Sequence, residues 1–409
     1  MSPLRWCYGT SSCILVMLAI SCTHKNLASS KVIVPAYYFW RTGSSIDGDE
    51  KDLLRRHRIQ TLYTKILDID WGGENGAIPV ASQDIHDFNR QLNIYDSLGV
   101  RIVPVIFITN KTFVNIDSAD IPALAKRVLR RCLPAYDSMD REQEARDYLN
   151  ERSMARPREV QFDCDWTAGT AAKYFFFLKT VRQLRPADSI HISATIRLHQ
   201  YKYPGKTGVP PVDRGMLMLY NVSDLTQYAP VNSIFDEEKA QAYFTGNRSY
   251  PLPLDMALPA YSWGLVFRGK KFYQIENGLD GEALAGNDAV ELEGAVEQKG
   301  AVEQKGKGHP MQEPAVGGDG NLRVEGNYKN NGVSFYRVRK DTVIGELFLR
   351  PNDEIKIESI DSSLLWAAAR LSRRALNTDT FRVALFELSS DEIKHYSNET
   401  LAQIYSSYR

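Results

Sequence analysis

The sequence predicts a (β/α)8 barrel, an α/β fold in which eight parallel strands alternate with helices. Eight apolar, β-rich runs follow one another along the 409 residues, and segments of helical period separate most of them. A barrel of about 250 residues or more, with insertions, is an ordinary single domain. An open doubly wound sheet shows the same alternation, but eight strands favour the closed arrangement.

Seven strands are predicted from runs rich in β-branched and aromatic residues. They cover residues 32–40, 61–71, 101–109, 159–166, 189–199, 215–222 and 254–267. Apolar spacing predicts helices over 82–98, 118–131, 169–184 and 362–376. The run "FRVALFEL" (381–388) is the candidate eighth strand, and 332–350 is either a β-hairpin or an alternative eighth strand.

One segment interrupts this pattern. Residues 276–331 are rich in glycine and charge and contain the tandem "GAVEQKGAVEQKG". Such a composition buries too little apolar surface to offset the entropy of ordering it. We therefore expect a flexible insertion here, within a single barrel domain that covers residues 31–409.

The N-terminus has the pattern of an export signal. Arg5 precedes the apolar run "CILVMLAI" (13–20), which is shorter than the roughly 20 residues of a membrane-spanning helix. The following "AISC" resembles the lipobox of bacterial lipoproteins, although Ala19 stands where that pattern commonly has Leu. It predicts a signal peptide over 1–21, lipidation of Cys22, a tether over 22–30 and a place in the cell envelope, at the outer membrane. An ordinary secretory signal is the alternative.

The cysteines do not form a disulfide framework. If Cys7 and Cys13 leave with the signal and Cys22 carries lipid, Cys132 and Cys164 remain. They are predicted to be two buried thiols, with a single bridge as the alternative.

Charge and motifs narrow the classes of partner. Lys+Arg and Asp+Glu are balanced at 50 each, so no positive excess indicates nucleic acid or an anionic membrane surface. The seven histidines lack metal-ligand spacing, and the sequence has no phosphate-binding loop. We expect no cofactor and no metal, and a neutral, sugar-like partner with membrane contact only through the lipid.

Polar side chains collect at the predicted C-terminal strand ends, where active sites of such barrels lie. In "VQFDCDWT" (160–167), Phe162 and Cys164 share one parity, while Asp163 and Asp165 share the parity that points into the barrel. The other candidates for the same mouth are Asp68, Asp70, Arg197, His199, Tyr220, Asn221, Tyr261 and Trp263. Aromatic residues beside polar groups suit the stacking of a sugar face.

A purely structural interpretation is also open. Asp163 or Asp165 could pair with Arg197 and fill a barrel layer without any ligand. Burying several charges is costly unless each is paired. Complete pairing at the strand ends would favour this interpretation.

The motifs "FDCDWT", "MLMLYNV" and "ALPAYSWG" resemble, in order, strands four, six and seven of the chitinase-like (family 18) glycoside hydrolase barrel. The resemblance implies that Asp163 and Asp165 match the second and third aspartates of D-x-x-D-x-D-x-E, which position and polarise an N-acetyl group. It also matches Met218 and Tyr220 to strand six and Tyr261 to strand seven. The whole chain also resembles surface lipoproteins of gut and oral Bacteroidetes.

Several departures concern the reaction itself. Thr167 stands where the family has its general-acid glutamate, Val160 replaces the first aspartate and Asn221 replaces the strand-six aspartate. No Trp appears in "FRVALFEL". A threonine hydroxyl cannot act as a general acid near neutral pH. Another carboxylate would have to supply the proton, with Asp165, Asp70 and Glu387 as candidates, or the cleft binds without cutting.

We therefore expect a lipid-anchored barrel of glycoside hydrolase type that acts on or binds a glycan, with Asp163 and Asp165 as the catalytic candidates and hydrolysis left open. The alternatives are a non-catalytic glycan-binding lipoprotein of a polysaccharide uptake system and a structural barrel without ligand.

Overall fold

A computed structural model describes residues 31–41, 45–83, 85–133, 157–185, 190–246, 249–277, 279–285, 287–299, 328–345 and 347–408. The predicted signal peptide, Cys22 and the tether lie outside these residues, as do residues 300–327 of the predicted insertion. In the described part of the chain, no helix is both long enough and apolar enough to cross a bilayer.

The described strands are β1 (Val32–Phe39), β2 (Thr61–Trp71), β3 (Ala77–Ser82), β4 (Arg101–Ile108), β5 (Glu159–Asp163), β6 (His191–Arg197), β7 (Arg214–Met218), β8 (Leu254–Pro259), β9 (Ser262–Arg268), β10 (Lys271–Asn277), β11 (Val290–Lys299), β12 (Tyr328–Val338), β13 (Thr342–Ile344), β14 (Leu347–Leu349), β15 (Asp353–Ser359) and β16 (Thr380–Phe386). Three short 3-10 helices cover Gly73–Asn75, Ser118–Asp120 and Arg373–Ala375.

The described α-helices are α1 (Gly48–Arg56), α2 (Ile85–Ser97), α3 (Asn110–Asn115), α4 (Ile121–Cys132), α5 (Ala171–Leu184), α6 (Leu198–Lys202), α7 (Pro204–Thr207), α8 (Glu237–Phe244), α9 (Gly281–Ala285), α10 (Ser362–Ser372), α11 (Ser390–Ile393) and α12 (Asn398–Ser406). The four predicted helices correspond to α2, α4, α5 and α10. The last begins where the Asp361 carboxylate accepts a hydrogen bond from the Leu364 amide, 2.8 Å away.

Eight parallel strands form a closed barrel, as the sequence predicts. Around the barrel they run β1, β2, β4, β5, β6, β7, β8 and β16, and the circle closes where β16 pairs with β1. The candidate eighth strand is thus the closing strand. One further strand of this sheet was not predicted: β3 folds back antiparallel on β2 outside the circle.

Strand alternation separates the interior of the barrel from its helical shell. Phe162 of β5 packs on Phe177 of α5 with ring centroids 5.3 Å apart, while the next residue, Asp163, takes the opposite side of the strand. Cys132 and Cys164 are buried and unbridged, in agreement with the prediction of two thiols.

The prediction of one strand over 254–267 is wrong. The segment forms β8 in the barrel and then β9, which leaves the barrel and enters a second, antiparallel sheet. That sheet has the order β10, β9, β15, β12, β11 and a small core of its own that includes Val266, Tyr336 and Ile355. The alternative eighth strand at 332–350 does not join the barrel, because it covers most of β12 and the β13–β14 hairpin.

The predicted insertion over 276–331 is partly regular structure. Residues 276–277 end β10, 281–285 form α9, and β11 and β12 pair with each other across the segment that lies outside the described residues. The low apolar content of the segment did not predict these elements. β11 is stabilised by its hydrogen bonds to β12, a strand distant in sequence, so it does not need a run of apolar residues that faces the core.

Candidate functional site

The candidate site lies at the C-terminal ends of the barrel strands, which we call the mouth. It is built from Asp163, Asp165, Arg197, Tyr220, Tyr261 and Phe386. Loops at this end carry the active sites of (β/α)8 enzymes.

Asp163, the last residue of β5, is buried in the barrel with 3% of its surface exposed. The Thr195 hydroxyl of the neighbouring β6 donates a hydrogen bond to Asp163 Oδ1 over 2.6 Å. Burial and the nearby Asp165 carboxylate raise the pKa of Asp163 to about 6, against the lowering influence of Arg197 and Thr195. Asp163 is therefore harder to ionise than an exposed aspartate.

Asp165 is held by an arginine. It lies past the end of β5, where strand structure was predicted to continue, and its side chain is 47% exposed. Arg197 Nε donates to Asp165 Oδ1, and Nη2 donates to Oδ2 over 2.9 Å. This two-point contact fixes the planes of both groups. It is the ion pair that the structural interpretation expected.

The pairing at the mouth is nevertheless incomplete. Arg197 Nη1, the Tyr220 hydroxyl, Asp68 Oδ1 and Gln161 Nε2 are buried, and none has a hydrogen-bond partner within the described residues. Burial raises the pKa of Tyr220; Asp163 and Asp165 lie close enough to add to the increase, and Arg197 opposes it. Buried polar groups are rarely left unpaired in proteins, so this cluster is a candidate functional site.

Aromatic rings form one wall of the mouth. Phe386 packs against Tyr220 (5.1 Å between centroids), Tyr261 (5.4 Å) and Trp40 (5.4 Å). The Tyr261 hydroxyl donates to Asn221 Oδ1 over 2.8 Å. Such a wall offers an apolar surface beside polar groups.

Asp68 and Asp70, the two aspartates predicted on strand two, lie in different environments. Lys65 Nζ donates to Asp68 Oδ2 over 3.0 Å, and Asp68 influences the pKa of Asp163, so this residue belongs near the mouth. Asp70 accepts a hydrogen bond from the Thr109 hydroxyl over 2.6 Å, which with a backbone bond lowers its pKa. Asp70 is thus held by the loop after β4.

Three further predicted site residues lie outside the barrel strands, as Asp165, Tyr220 and Tyr261 also do. His199 is exposed on α6, Asn221 is exposed beyond β7 with a left-handed backbone (φ 56°), and Trp263 is on β9. The Trp263 indole donates to the buried Glu358 over 2.8 Å, which ties it to the second sheet. Its ring edge packs on Tyr261, so Trp263 supports the aromatic wall.

Thr167 begins the turn before α5. Its amide donates to the Thr170 hydroxyl over 2.9 Å, and its side chain is exposed. The preceding Trp166 is buried and stacks on Tyr174. No carboxyl group can act from this position.

A second charged cluster lies at the opposite end of the barrel and was not predicted. Arg382 binds Glu159 (2.6 Å) and Asp255 (3.5 Å), and Arg214 also binds Asp255 (2.5 Å). Every carboxylate in this cluster has an arginine partner. Residues at this end of such barrels serve stability, and we assign the cluster that role.

One group of possible metal ligands occurs among the described residues. Ligand atoms of Asp280, Glu282 and His395 lie within 4.8 Å of one another, and His395 Nε2 is 3.1 Å from Asp280 Oδ2. Glu282 and His395 are exposed, and the group is outside the mouth.

Solved structures with a similar fold include proteins described as a spore cortex-lytic enzyme, a chitinase and an N-acetylglucosaminidase. The spore cortex-lytic enzyme SleL of Bacillus cereus is 13% identical (TM-score 0.46, covering 93% of this chain and 75% of that one). A chitinase from Chromobacterium violaceum is 8% identical (TM-score 0.48; 93% and 99%). A family 18 N-acetylglucosaminidase from Paenibacillus barengoltzii is 12% identical (TM-score 0.44; 91% and 99%). No protein-family model and no curated protein matches the chain.

Proposed function

We propose that the mouth of this barrel binds an oligosaccharide. The observation that carries the proposal is the pair of buried hydrogen-bonding groups, Arg197 Nη1 and the Tyr220 hydroxyl, that have no partner within the described residues. They lie beside one carboxylate fixed by arginine, Asp165, and one carboxyl group whose pKa burial raises, Asp163. Binding pockets combine such a small number of convergent polar groups with aromatic walls.

Sugar hydroxyls match this arrangement chemically. A hydroxyl both donates and accepts, so it can accept from Arg197 and donate to Asp165 or Asp163. The C–H face of a sugar ring can pack on Tyr261 or Phe386. A structural barrel without ligand accounts for the Asp165–Arg197 pair but leaves the unpartnered groups unexplained.

The proposal extends to cellular location. The pattern around Cys22 supports a lipid-anchored protein of the cell envelope, at the outer membrane, and we propose a role in taking up or processing polysaccharide. The threonine at position 167 cannot supply a proton to a glycosidic oxygen, so cleavage of the bound glycan would need another carboxyl group.

Calorimetry on the full-length protein in mild detergent tests the binding. The probes are tetramers of β-1,4-linked glucose, N-acetylglucosamine, mannose and xylose. We expect at least one to bind, and Asp165→Asn to weaken its affinity at least tenfold, about 1.4 kcal/mol, because Arg197 loses its orienting partner.

Asp213→Asn is the matched control. Asp213 also pairs with an arginine, Arg182, but at the start of β7. It should leave affinity unchanged. Failure of every probe to bind, or an equal loss in both variants, would contradict the proposed function.

A further inference from the structure

Glu387 lies at the mouth, and its carboxyl group is unusual in having no polar partner within the described residues. It follows the closing strand β16 directly, next to Phe386 of the aromatic wall, and it is half-buried. Its charge influences the pKa of Tyr261, which places the two side chains near each other. Glu387 has no hydrogen bond and no ion pair with the part of the chain that the structure describes.

Three other carboxyl groups near the mouth have a polar partner, and a fourth, Asp163, is buried inside the barrel with 3% of its surface exposed. Asp165 is held by two hydrogen bonds from Arg197. Asp70 accepts from Thr109, which lowers its pKa. Asp68 pairs with Lys65. Each of these three carboxyl groups therefore already has a polar partner.

The cations near Glu387 are also engaged elsewhere. Arg41 pairs with the fully buried Glu50, and Lys65 pairs with Asp68. Burial is the main cause that raises the pKa of Glu387 to about 7. Glu392 and Glu50 add to the increase, while Arg41 and Lys65 partly oppose it. A glutamate with a pKa near 7 is protonated often enough to donate at neutral pH and ionises readily afterwards.

We propose that Glu387 is the general acid of a glycosidic-bond cleavage at this mouth, acting from the closing strand where position 167 has no carboxyl. This inference rests on the proposed function, since it needs a bound glycan. The carboxyl of Glu387 gives its proton to the glycosidic oxygen, and the C1–O bond breaks with its electron pair passing to that oxygen.

Water completes the reaction. Its oxygen forms the new bond to C1, and the proton it loses passes to the carboxylate of Asp165, which solvent can reach because the side chain is 47% exposed. Asp165 then releases this proton to solvent, and Glu387 takes one up, so both carboxyl groups return to their starting states.

The test compares leaving groups. The unaltered protein, Glu387→Gln and the control Glu399→Gln, an exposed glutamate of α12, are assayed on the tetramer that binds and on the 2,4-dinitrophenyl glycoside of the same sugar. Dinitrophenolate leaves without a proton. We expect Glu387→Gln to lose about 100-fold or more of its turnover on the tetramer, and far less on the aryl glycoside.

The pH profile gives a second readout. The unaltered protein and Glu399→Gln should lose activity on the tetramer as pH rises through about 7, the pKa of Glu387. Glu387→Gln should lack this decline.

Three other outcomes would contradict the proposal that Glu387 is the general acid. Binding of a tetramer with no turnover by the unaltered protein rejects Glu387 as an acid and leaves the proposed function standing. Equal losses on both substrates would show a structural role for Glu387. If no tetramer binds, the proposed function fails, and the inference fails with it.

Discussion

The Thr195 hydroxyl donates a hydrogen bond to Asp163 across the β5–β6 strand pair, at 2.6 Å. Thr195 is 1% exposed and Asp163 is 3% exposed, so the contact is inside the barrel. The hydrogen bond favours the ionised carboxylate, but burial outweighs it and raises the pKa of Asp163. The folded barrel therefore holds a carboxyl group that resists ionisation more than it does in the unfolded chain.

This resistance predicts how stability depends on pH. A pKa raised from its ordinary value of 3.8 to about 6 gives stability that is present below pH 3.8 and lost as pH rises through 6. Asp163→Asn, which keeps an oxygen for Thr195 to donate to, should remove that loss. At pH 8 the variant should unfold with up to about 3 kcal/mol more free energy than the unaltered protein.

Urea denaturation at pH 4 and pH 8 measures the effect. Thr195→Val is a useful companion, because it removes the donor without removing the titrating group. A variant Asp163→Asn that is less stable than the unaltered protein at pH 8 would show that Asp163 is stabilised there as a carboxylate.

Two tyrosines provide a contrast between binding and stability. Tyr38 donates to Gln161 over 2.6 Å, whereas the buried Tyr220 hydroxyl has no partner among the described residues. Tyr38→Phe should cost about 1 kcal/mol of stability through the lost hydrogen bond. Tyr220→Phe should cost little or no stability but weaken oligosaccharide binding about tenfold.

Thermal melting and calorimetry on both variants show whether the Tyr220 hydroxyl serves glycan binding or the stability of the fold. If Tyr220→Phe melts well below Tyr38→Phe and binds glycan normally, its hydroxyl serves the fold.

Because β11 pairs with β12, the effect of a deletion on the melting temperature should depend on whether it removes β11. Lys299 lies opposite Tyr328 at the open end of this pair. Replacing residues 300–327 by Asn-Gly would supply a two-residue hairpin turn at that point. The melting temperature should not fall, because shortening a loop lowers the entropic cost of closing it, by about 0.6 kcal/mol for each twofold reduction in length.

A larger deletion, 290–327, is the comparison. It also removes β11, so β12 loses its antiparallel partner, and the melting temperature should fall by several degrees. Equal melting temperatures for the two deletions would show that β11 contributes nothing to the second sheet.

Cys22 provides the test of cellular location. Cys22→Ala should release the protein from the membrane fraction, because lipidation of this residue is the proposed anchor. Immunoblots of membrane and soluble fractions measure the change, with Cys132→Ala as the control thiol. Retention of Cys22→Ala in the membrane fraction would reject the anchor.

Strand parity explains what the sequence could predict. The alternation in "VQFDCDWT" separated Phe162, which packs on a helix, from Asp163, which does not, because the geometry of a strand fixes that alternation. The closing strand β16 could be predicted from composition, because "FRVALFEL" is apolar enough to be buried on both sides of a sheet.

Strand ends depend on contacts that no local pattern contains. Tyr220 and Asn221 were placed on a strand that stops at Met218, where the chain turns through the left-handed backbone of Asn221. The second sheet was missed because β9 and β15 pair across about 90 residues of sequence. The position of Glu387 in the sequence made it a candidate acid. Its lack of an ion-pair partner follows only from the structure, in which Arg41 pairs with Glu50 and Lys65 pairs with Asp68.

The order of strands around the barrel also governs when the nascent chain can fold. The closing strand forms hydrogen bonds to β1 and β8, with Val32 opposite Thr380. The whole second sheet is synthesised between β8 and this strand. Until it emerges, β1 and β8 present unpaired edges, which are prone to aggregation. Such distant pairing slows folding, so we expect this protein to depend on chaperones during synthesis or transport.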